Sequence, residues 1–471
     1  MKLKSIQHKL AFYGLQLLLV LTLFSACKED VIRLNPLNES DYQVDGAPSV
    51  SLLGEDGKTQ TSILEFRTLG SYDVSVQLNK PANQNIAGSI TYDENVLKEY
   101  NEKHGTSYQA YPKDLVTFSG EGKVEIKQNE KMSSAVAIEV KPNPASSGSE
   151  TYVIPLNSTV PSENSTFDTF MLFVKDMTKI PSTDKPNGLK VISCMEVNDT
   201  NPLNNLAFTL KNSGKLLVDE VILFSSNINY NETTGKVVLT HNPNVTHLLQ
   251  NKDKYLKPLK DRGMKVILSV LGNHDRSGVA NLSEQAAKEF AQELKATCLA
   301  YDLDGVFFDD EYSAYQYPVP PGFVSPSNQA AARLVYETKQ AMPDKKTMVY
   351  VYGRTNYFGG SSALPGIPAG QYVDYALHDY LQSYSLTNNY PELERSGWFL
   401  SSGEYARNYY PSPTALRNIK TGGYGGTMIF SLDPNRSNYS FFQLSALRNI
   451  AVYMYDDELV VDNSKIYKKD W

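Results

Sequence analysis

The chain has 471 residues, room for two or three domains including one large barrel, so core size sets no limit on its fold. Charged residues make up 21% and apolar ones 41%, an ordinary globular balance, and a formal charge of -7 provides no broad basic surface, which argues against nucleic acid as a partner. Six His without an HxxxH or HxH pair, and only Cys194 and Cys298 beyond Cys27, supply neither a metal centre nor a disulfide framework, and no cofactor is expected.

At the N-terminus Lys2 and Lys4 precede an apolar run from Leu15 to Phe24, followed by Phe24-Ser25-Ala26-Cys27. A basic start, a short apolar run and small residues form a secretion signal, too short to span a bilayer comfortably. Cys27 directly after the small pair resembles the bacterial lipobox, whose thiol is acylated after cleavage. Lys28-Glu29-Asp30 is similar to the acidic export tag of Bacteroidetes surface lipoproteins. These resemblances imply a signal over residues 1–27, a tether over 28–48, and a mature protein anchored by lipid in the outer membrane at the cell surface.

From residue 49 to 176 short runs alternate with period two: Tyr72, Val74, Val76 and Leu78; Val124 and Ile126; Tyr152, Ile154 and Leu156; Phe170, Leu172 and Val174. Broken by Gly, Asn, Pro and Ser clusters, this pattern predicts an antiparallel β-sandwich, interrupted by one helix at about Glu94 to Lys103. The stretch from Glu99-Tyr100-Asn101 to Tyr108-Gln109-Ala110-Tyr111-Pro112 resembles a module that precedes catalytic or carbohydrate-binding domains in Bacteroidetes lipoproteins. Two prolines in a polar stretch mark a linker over residues 177–187.

Over residues 188–471 the rhythm becomes strand, loop, helix. Candidate strands are Leu189-Val197, Val218-Ser226, Lys265-Leu271, Gly305-Glu311, Met348-Gly353, Val373-Tyr380, Trp398-Ser401 and Thr427-Leu432. The clearest helix starts at Ser283, a candidate N-cap, and places Ala287, Phe290, Ala291, Leu294 and Cys298 on one face. About eight strands alternating with helices predict an α/β (β/α)8 TIM barrel behind the all-β sandwich, with chemistry at the strand C-termini.

The fourth candidate strand reads Leu303-Asp304-Gly305-Val306-Phe307-Phe308-Asp309-Asp310-Glu311-Tyr312. Side chains two apart share a face, so Phe307, Asp309 and Glu311 project together and Val306 and Phe308 pack the other way. Carboxylates that close raise one pKa, which keeps one acid protonated near neutral pH. By spacing alone, a solvated or cation-binding acidic loop explains the pattern equally well.

The string itself resembles the glycoside hydrolase family 18 signature DGxDxDxE, and most closely the H-type endo-β-N-acetylglucosaminidase run LDGVDFDDEY. Leu268-Ser269-Val270-Leu271-Gly272-Asn273-His274 is similar to that group's SVLGNH segment. Asp374-Tyr375-Ala376 leading to Tyr380 is similar to its sixth strand, and Gly423-Tyr424-Gly425 precedes the eighth. The resemblance covers roughly Leu189 to the C-terminus, with the seventh strand and last helix poorly matched.

It implies cleavage of the GlcNAc-β-1,4-GlcNAc core of N-linked glycans by substrate-assisted retaining catalysis. Glu311 is implied as acid and base, Asp309 as the group that orients the 2-acetamide through an oxazolinium intermediate, and Tyr380 as a donor to the acetamide oxygen. Phe307 stands where the family carries a further acid, and an apolar ring beneath Asp309 favours its neutral form. Glu196, Asn273, His274, Tyr312, Tyr352 and Arg354, at or just beyond the ends of four strands, are candidate substrate contacts. A chitinase of the same family is the rival enzyme reading, disfavoured because only Trp398 and Trp471 are available for aromatic cleft platforms; a glycan-binding barrel is the non-enzymatic rival, which Phe307 keeps open.

Overall fold

The computed structural model describes residues 49–148, 150–161 and 168–471. The signal, the tether and Cys27 lie outside the described residues, while Pro48–Trp471 forms one compact unit.

The period-two segments build two facing sheets. One orders Val50–Gly54, Gly70–Leu78, Val136–Val140 and Val116–Phe118; the other orders Thr61–Phe66, Thr169–Asp176, Tyr152–Ser158, Ile86–Tyr92 and Lys123–Ile126. Their inward residues, among them Tyr72, Val74, Val76, Ile126, Leu156, Phe170 and Leu172, form a separate apolar core. The sandwich departs from pure antiparallel pairing, because Thr61–Phe66 lies parallel to Thr169–Asp176 and Gln109–Ala110 lies parallel to Tyr152–Ser158.

The inserted helix spans Glu94–His104, where Asp93 caps the first turn and left-handed Gly105 (φ 58°) ends the last. The side chain of Asn101 both donates to the Tyr108 carbonyl (2.9 Å) and accepts from its amide (3.1 Å), which folds back the stretch behind the helix.

Eight parallel strands follow: β1 (Lys190–Glu196), β2 (Glu220–Asn231), β3 (Lys265–Leu271), β4 (Gly305–Phe308), β5 (Lys346–Val351), β6 (Tyr375–His378), β7 (Trp398–Phe399) and β8 (Gly426–Phe430). Each pairs with the next, and β8 pairs back onto β1 from Lys190 opposite Gly426 to Cys194 opposite Phe430, which closes the barrel. Alternation divides each strand between two cores. Ile192, Cys194, Ile222, Ile267, Phe307, Met348, Leu377 and Met428 fill the interior, while Val191, Val221, Leu268, Val306 and Phe308 pack outward with the helix layer.

Ser283 caps helix Glu284–Tyr301 by accepting from the Ala286 amide, and Ala287, Phe290, Ala291, Leu294 and Cys298 are its buried face. The helix layer is incomplete. Behind β5 and β6 stand only 3-10 turns, including Gly353–Thr355 and Arg395–Gly397, embedded in long loops.

The sandwich docks on the end of the barrel where strands begin. Tyr108 donates to Asp344 (2.8 Å), Lys175 donates to the Asp344 carbonyl (2.8 Å), and Glu65 pairs with Lys175 (3.7 Å) and with Lys265. Asp344 and Lys265 sit at the starts of β5 and β3, so the opposite mouth, where strands end, is left open.

Candidate active site

β4 ends at Phe308, three residues short of the predicted Glu311, where its ladders with β3 and β5 stop. One further bond, from the Asp309 amide to the Val270 carbonyl (3.1 Å), carries the alternation one residue on. Beyond it the loops of β3 and β4 remain zipped, with the Gly272 amide donating to the Glu311 carbonyl (3.1 Å) and the His274 amide to the Tyr312 carbonyl (2.6 Å).

This close approach explains a glycine in each flanking loop. A Cβ at Gly272 would lie 2.4 Å from the Glu311 carbonyl oxygen; one at Gly353, whose φ is 49°, would lie 2.5 Å from that of Asp310. Gly272→Ala is therefore expected to push the Glu311 backbone away. Displacements of an ångström at a reacting group cost on the order of 10²-fold, so kcat should fall steeply while the thermal midpoint moves little. Kinetics beside a melting curve check this.

The three acids have different surroundings. Asp310 accepts from the Tyr315 hydroxyl (2.5 Å) and the Arg354 amide (2.8 Å), and so locks the loop to its neighbours. Asp309 is 2% exposed, and its Oδ1 has no hydrogen-bond partner. Burial first, then the charges of Glu311, Asp310 and Asp379, pushes its carboxyl well above the usual range, the direction expected over an apolar Phe307. Glu311 is half-buried; desolvation, then Asp379 and Asp310, raise its pKa, and Arg407 opposes them. Two neighbouring acids that both resist ionisation titrate as a pair and share a proton to higher pH than an isolated carboxyl would.

Asp309 and Glu311 open into a cavity of about 550 Å³ lined also by Glu196, Tyr312 and Tyr380, so five of the predicted site residues meet. Tyr380 lies between the rings of Tyr350 (centroids 6.2 Å apart) and Phe430 (6.3 Å). The Tyr350 hydroxyl (2.5 Å) and the Tyr380 amide (2.6 Å) both donate to Asp379, fixing the end of β6. Burial keeps the Tyr380 phenol neutral, hence a donor.

Asn273, His274, Tyr352 and Arg354 are not brought to the cavity wall. Asn273 donates to Asn229 on β2 (3.3 Å), and His274, in a left-handed turn (φ 54°), sets its ring edge-on to Tyr312. Tyr352 stacks on Tyr350 (5.8 Å), and the Arg354 guanidinium lies over Tyr315 (5.1 Å) and 3.8 Å from Asp310. Conversely, Cys194, Glu404, Arg407 and Arg436 line the cavity without having been singled out for it. Cys194 was legible only as a buried residue of β1. The others lie beyond β7 and β8, where no periodicity marks a site.

A closed parallel barrel with two carboxyls of raised pKa at its C-terminal mouth and tyrosines around them defines a barrel glycosidase. A family model described as a "-like, N-terminal domain" matches residues 47–164. Endo-beta-N-acetylglucosaminidase F1 of Elizabethkingia meningoseptica is 63% identical over 292 residues, 62% of this chain and 85% of that protein. An endo-beta-N-acetylglucosaminidase of Flavobacterium sp. (strain SK1022) is 35% identical over 257 residues, 53% of this chain and 77% of its own. Among solved structures, EndoBT-3987 of Bacteroides thetaiotamicron with Man5GlcNAc product superposes with a TM-score of 0.80 at 33% identity, covering 89% of this chain and 97% of that one; it is also known with Man9GlcNAc2Asn substrate. The chain belongs to the endo-β-N-acetylglucosaminidases of glycoside hydrolase family 18.

Proposed function

We propose that this protein hydrolyses the GlcNAc-β-1,4-GlcNAc core of N-linked glycans, with Glu311 as acid and base and Asp309 as the acetamide partner. The observation that carries the assignment of roles is the contrast in burial between the two acids on one loop. Glu311, half-exposed in the cavity, is the one able to reach a glycosidic oxygen; Asp309, enclosed and with a free Oδ1, is suited to bind rather than to exchange with water. In the first step the Glu311 proton passes to the glycosidic oxygen as its bond to C1 breaks. The acetamide oxygen of the -1 GlcNAc bonds to C1, and the acetamide N–H faces Asp309, whose negative charge balances the oxazolinium. Water, losing a proton to Glu311, then adds to C1 as the bond from C1 to the acetamide oxygen breaks, with net retention.

The EndoBT-3987 ligands support the cleavage point, since the substrate carries two GlcNAc and the product one. Chitin chains are less well served, because Trp398 is 3% exposed and Trp471 is stacked on His247 (5.4 Å), so neither provides a platform in the cavity. Incubation with an N-glycosylated protein should leave one GlcNAc on each Asn, read by mass spectrometry, and a fresh product in the β anomer, read by NMR. Release of chitobiose units from chitin alone would favour the chitinase reading, and glycan binding without release the lectin reading.

The sequence further supports lipid attachment at Cys27 and a place on the outer membrane, facing outward. Cys27→Ser should move the protein from the membrane to the soluble fraction in its host; unchanged partition would refute the anchor.

A further inference from the structure

Glu311 passes its proton to the leaving group in a site already rich in negative charge. Asp309 and Asp310 flank it on its own loop, Asp379 faces it from the end of β6, Glu196 and Asp199 stand at the end of β1, and Glu404 lies beyond β7. The tyrosines in the cavity that bear on it, Tyr312, Tyr350 and Tyr380, carry no charge while their phenols are protonated. Two cations line the same cavity. Arg436 is engaged on both sides, by Asp199 (2.6 Å) and by Asp433 (3.6 Å).

Arg407 is held differently. Glu404, 3% exposed, accepts from the Ala406 amide through Oε1 (3.0 Å) and lies 3.3 Å from the Arg407 Nε through Oε2. The loop closes where the Tyr409 amide donates to the Glu404 carbonyl (2.9 Å), after a left-handed Asn408 (φ 61°). A buried carboxylate on a short strand paired with β8 thus anchors a guanidinium whose side chain is 73% exposed at the cavity mouth. The ion pair keeps the near end of the guanidinium beside Glu404, whose Oε2 makes no hydrogen bond, and leaves its charge free to act on the cavity.

Building on the proposed acid and base role of Glu311, we propose that Arg407, clamped by Glu404, is a positioning residue that steadies Glu311 in its charged form between the two chemical steps. After the first step Glu311 and Asp309 are both ionised, and the oxazolinium offsets only one of the two charges. Arg407 offsets the other. It is the cation that acts to lower the Glu311 pKa, against Asp379 and Asp310.

The sign follows directly. Removing the cation makes Glu311 hold its proton more tightly, so the basic limb of the pH–rate profile moves to higher pH and the acid weakens. For a screened interaction at a wet cavity mouth the shift is roughly half a pH unit, with kcat lower by about threefold to tenfold. The test is kcat and KM against pH for the full chain as wild type, Arg407→Gln, Arg407→Lys and Glu404→Gln, using an N-glycosylated protein. Arg407→Gln should move the basic limb upward with KM little changed, Arg407→Lys should restore it, and Glu404→Gln should shift it partway as the freed guanidinium samples solvent. Added salt should shrink the difference between wild type and Arg407→Gln. A superimposable profile for active Arg407→Gln, or a raised KM with the limb unmoved, would overturn the inference while leaving the proposed function standing. Failure of the wild type to release glycan would instead refute the function itself.

Discussion

Replacing Glu311 with Gln is expected to lower glycan release by about 10³-fold while leaving glycan binding within a few-fold of wild type. The amide has the size of the carboxyl and fills the same space, so the backbone zipper from Gly272 to Glu311 survives. What is lost is the acid proposed to protonate the leaving oxygen, and general acid catalysis is worth on the order of 10² to 10⁴-fold. Single-turnover release and equilibrium binding to the same glycoprotein separate the two effects. Equal loss of both would mean that Glu311 holds the glycan rather than protonates it.

Asp309→Asn should lower kcat by on the order of 10²-fold with KM nearly constant, because Asn can still bond the acetamide but cannot balance a positive ring. The profile in pH should also change shape. The wild-type pair acts with one proton, so its rate falls at low pH when the pair takes up a second proton, and at high pH when it loses the first. Burial and its acidic neighbours hold the Asp309 pKa high, which places the first loss at an unusually high pH for a carboxylate. In Asp309→Asn the acidic limb should vanish, and the basic limb should move down because a like charge beside Glu311 is gone. Persistence of the acidic limb would assign it to another group, such as Glu196, whose carboxyl burial also raises.

Phe307 bears on both predictions. It is 1% exposed in the barrel interior, 6.2 Å from the Tyr350 ring, and provides Asp309 with no polar partner from below. The free Oδ1 of Asp309 agrees with that floor. The departure from the family signature therefore leaves the acid and its partner in place while removing a second position for the Asp309 proton.

Among the described residues the sandwich contributes none to the cavity lining, and its contacts with the barrel include Asp344, Lys265 and Asp374 at the opposite end.

Local periodicity was sufficient for much of this. Alternation along Val306, Phe307, Phe308 and Asp309 already separates the interior from the helix layer, since successive side chains in a strand must point to opposite faces. The helix from Glu284 was legible for the same kind of reason, a capping hydroxyl followed by one apolar face. Where periodicity ends, so does the reading. β4 stops before its acids, the layer behind β5 and β6 has no helix, and Asn273 and Arg354 turn to neighbours on other loops. The sequence by itself determined the two-part architecture and the pair Asp309 and Glu311, because both rest on residues within a few positions of each other. Only the tertiary structure decided that Glu404, Arg407 and Arg436 join them, because barrel closure brings β8 against β1 and carries loops more than 90 residues away onto one mouth, a proximity no local pattern records.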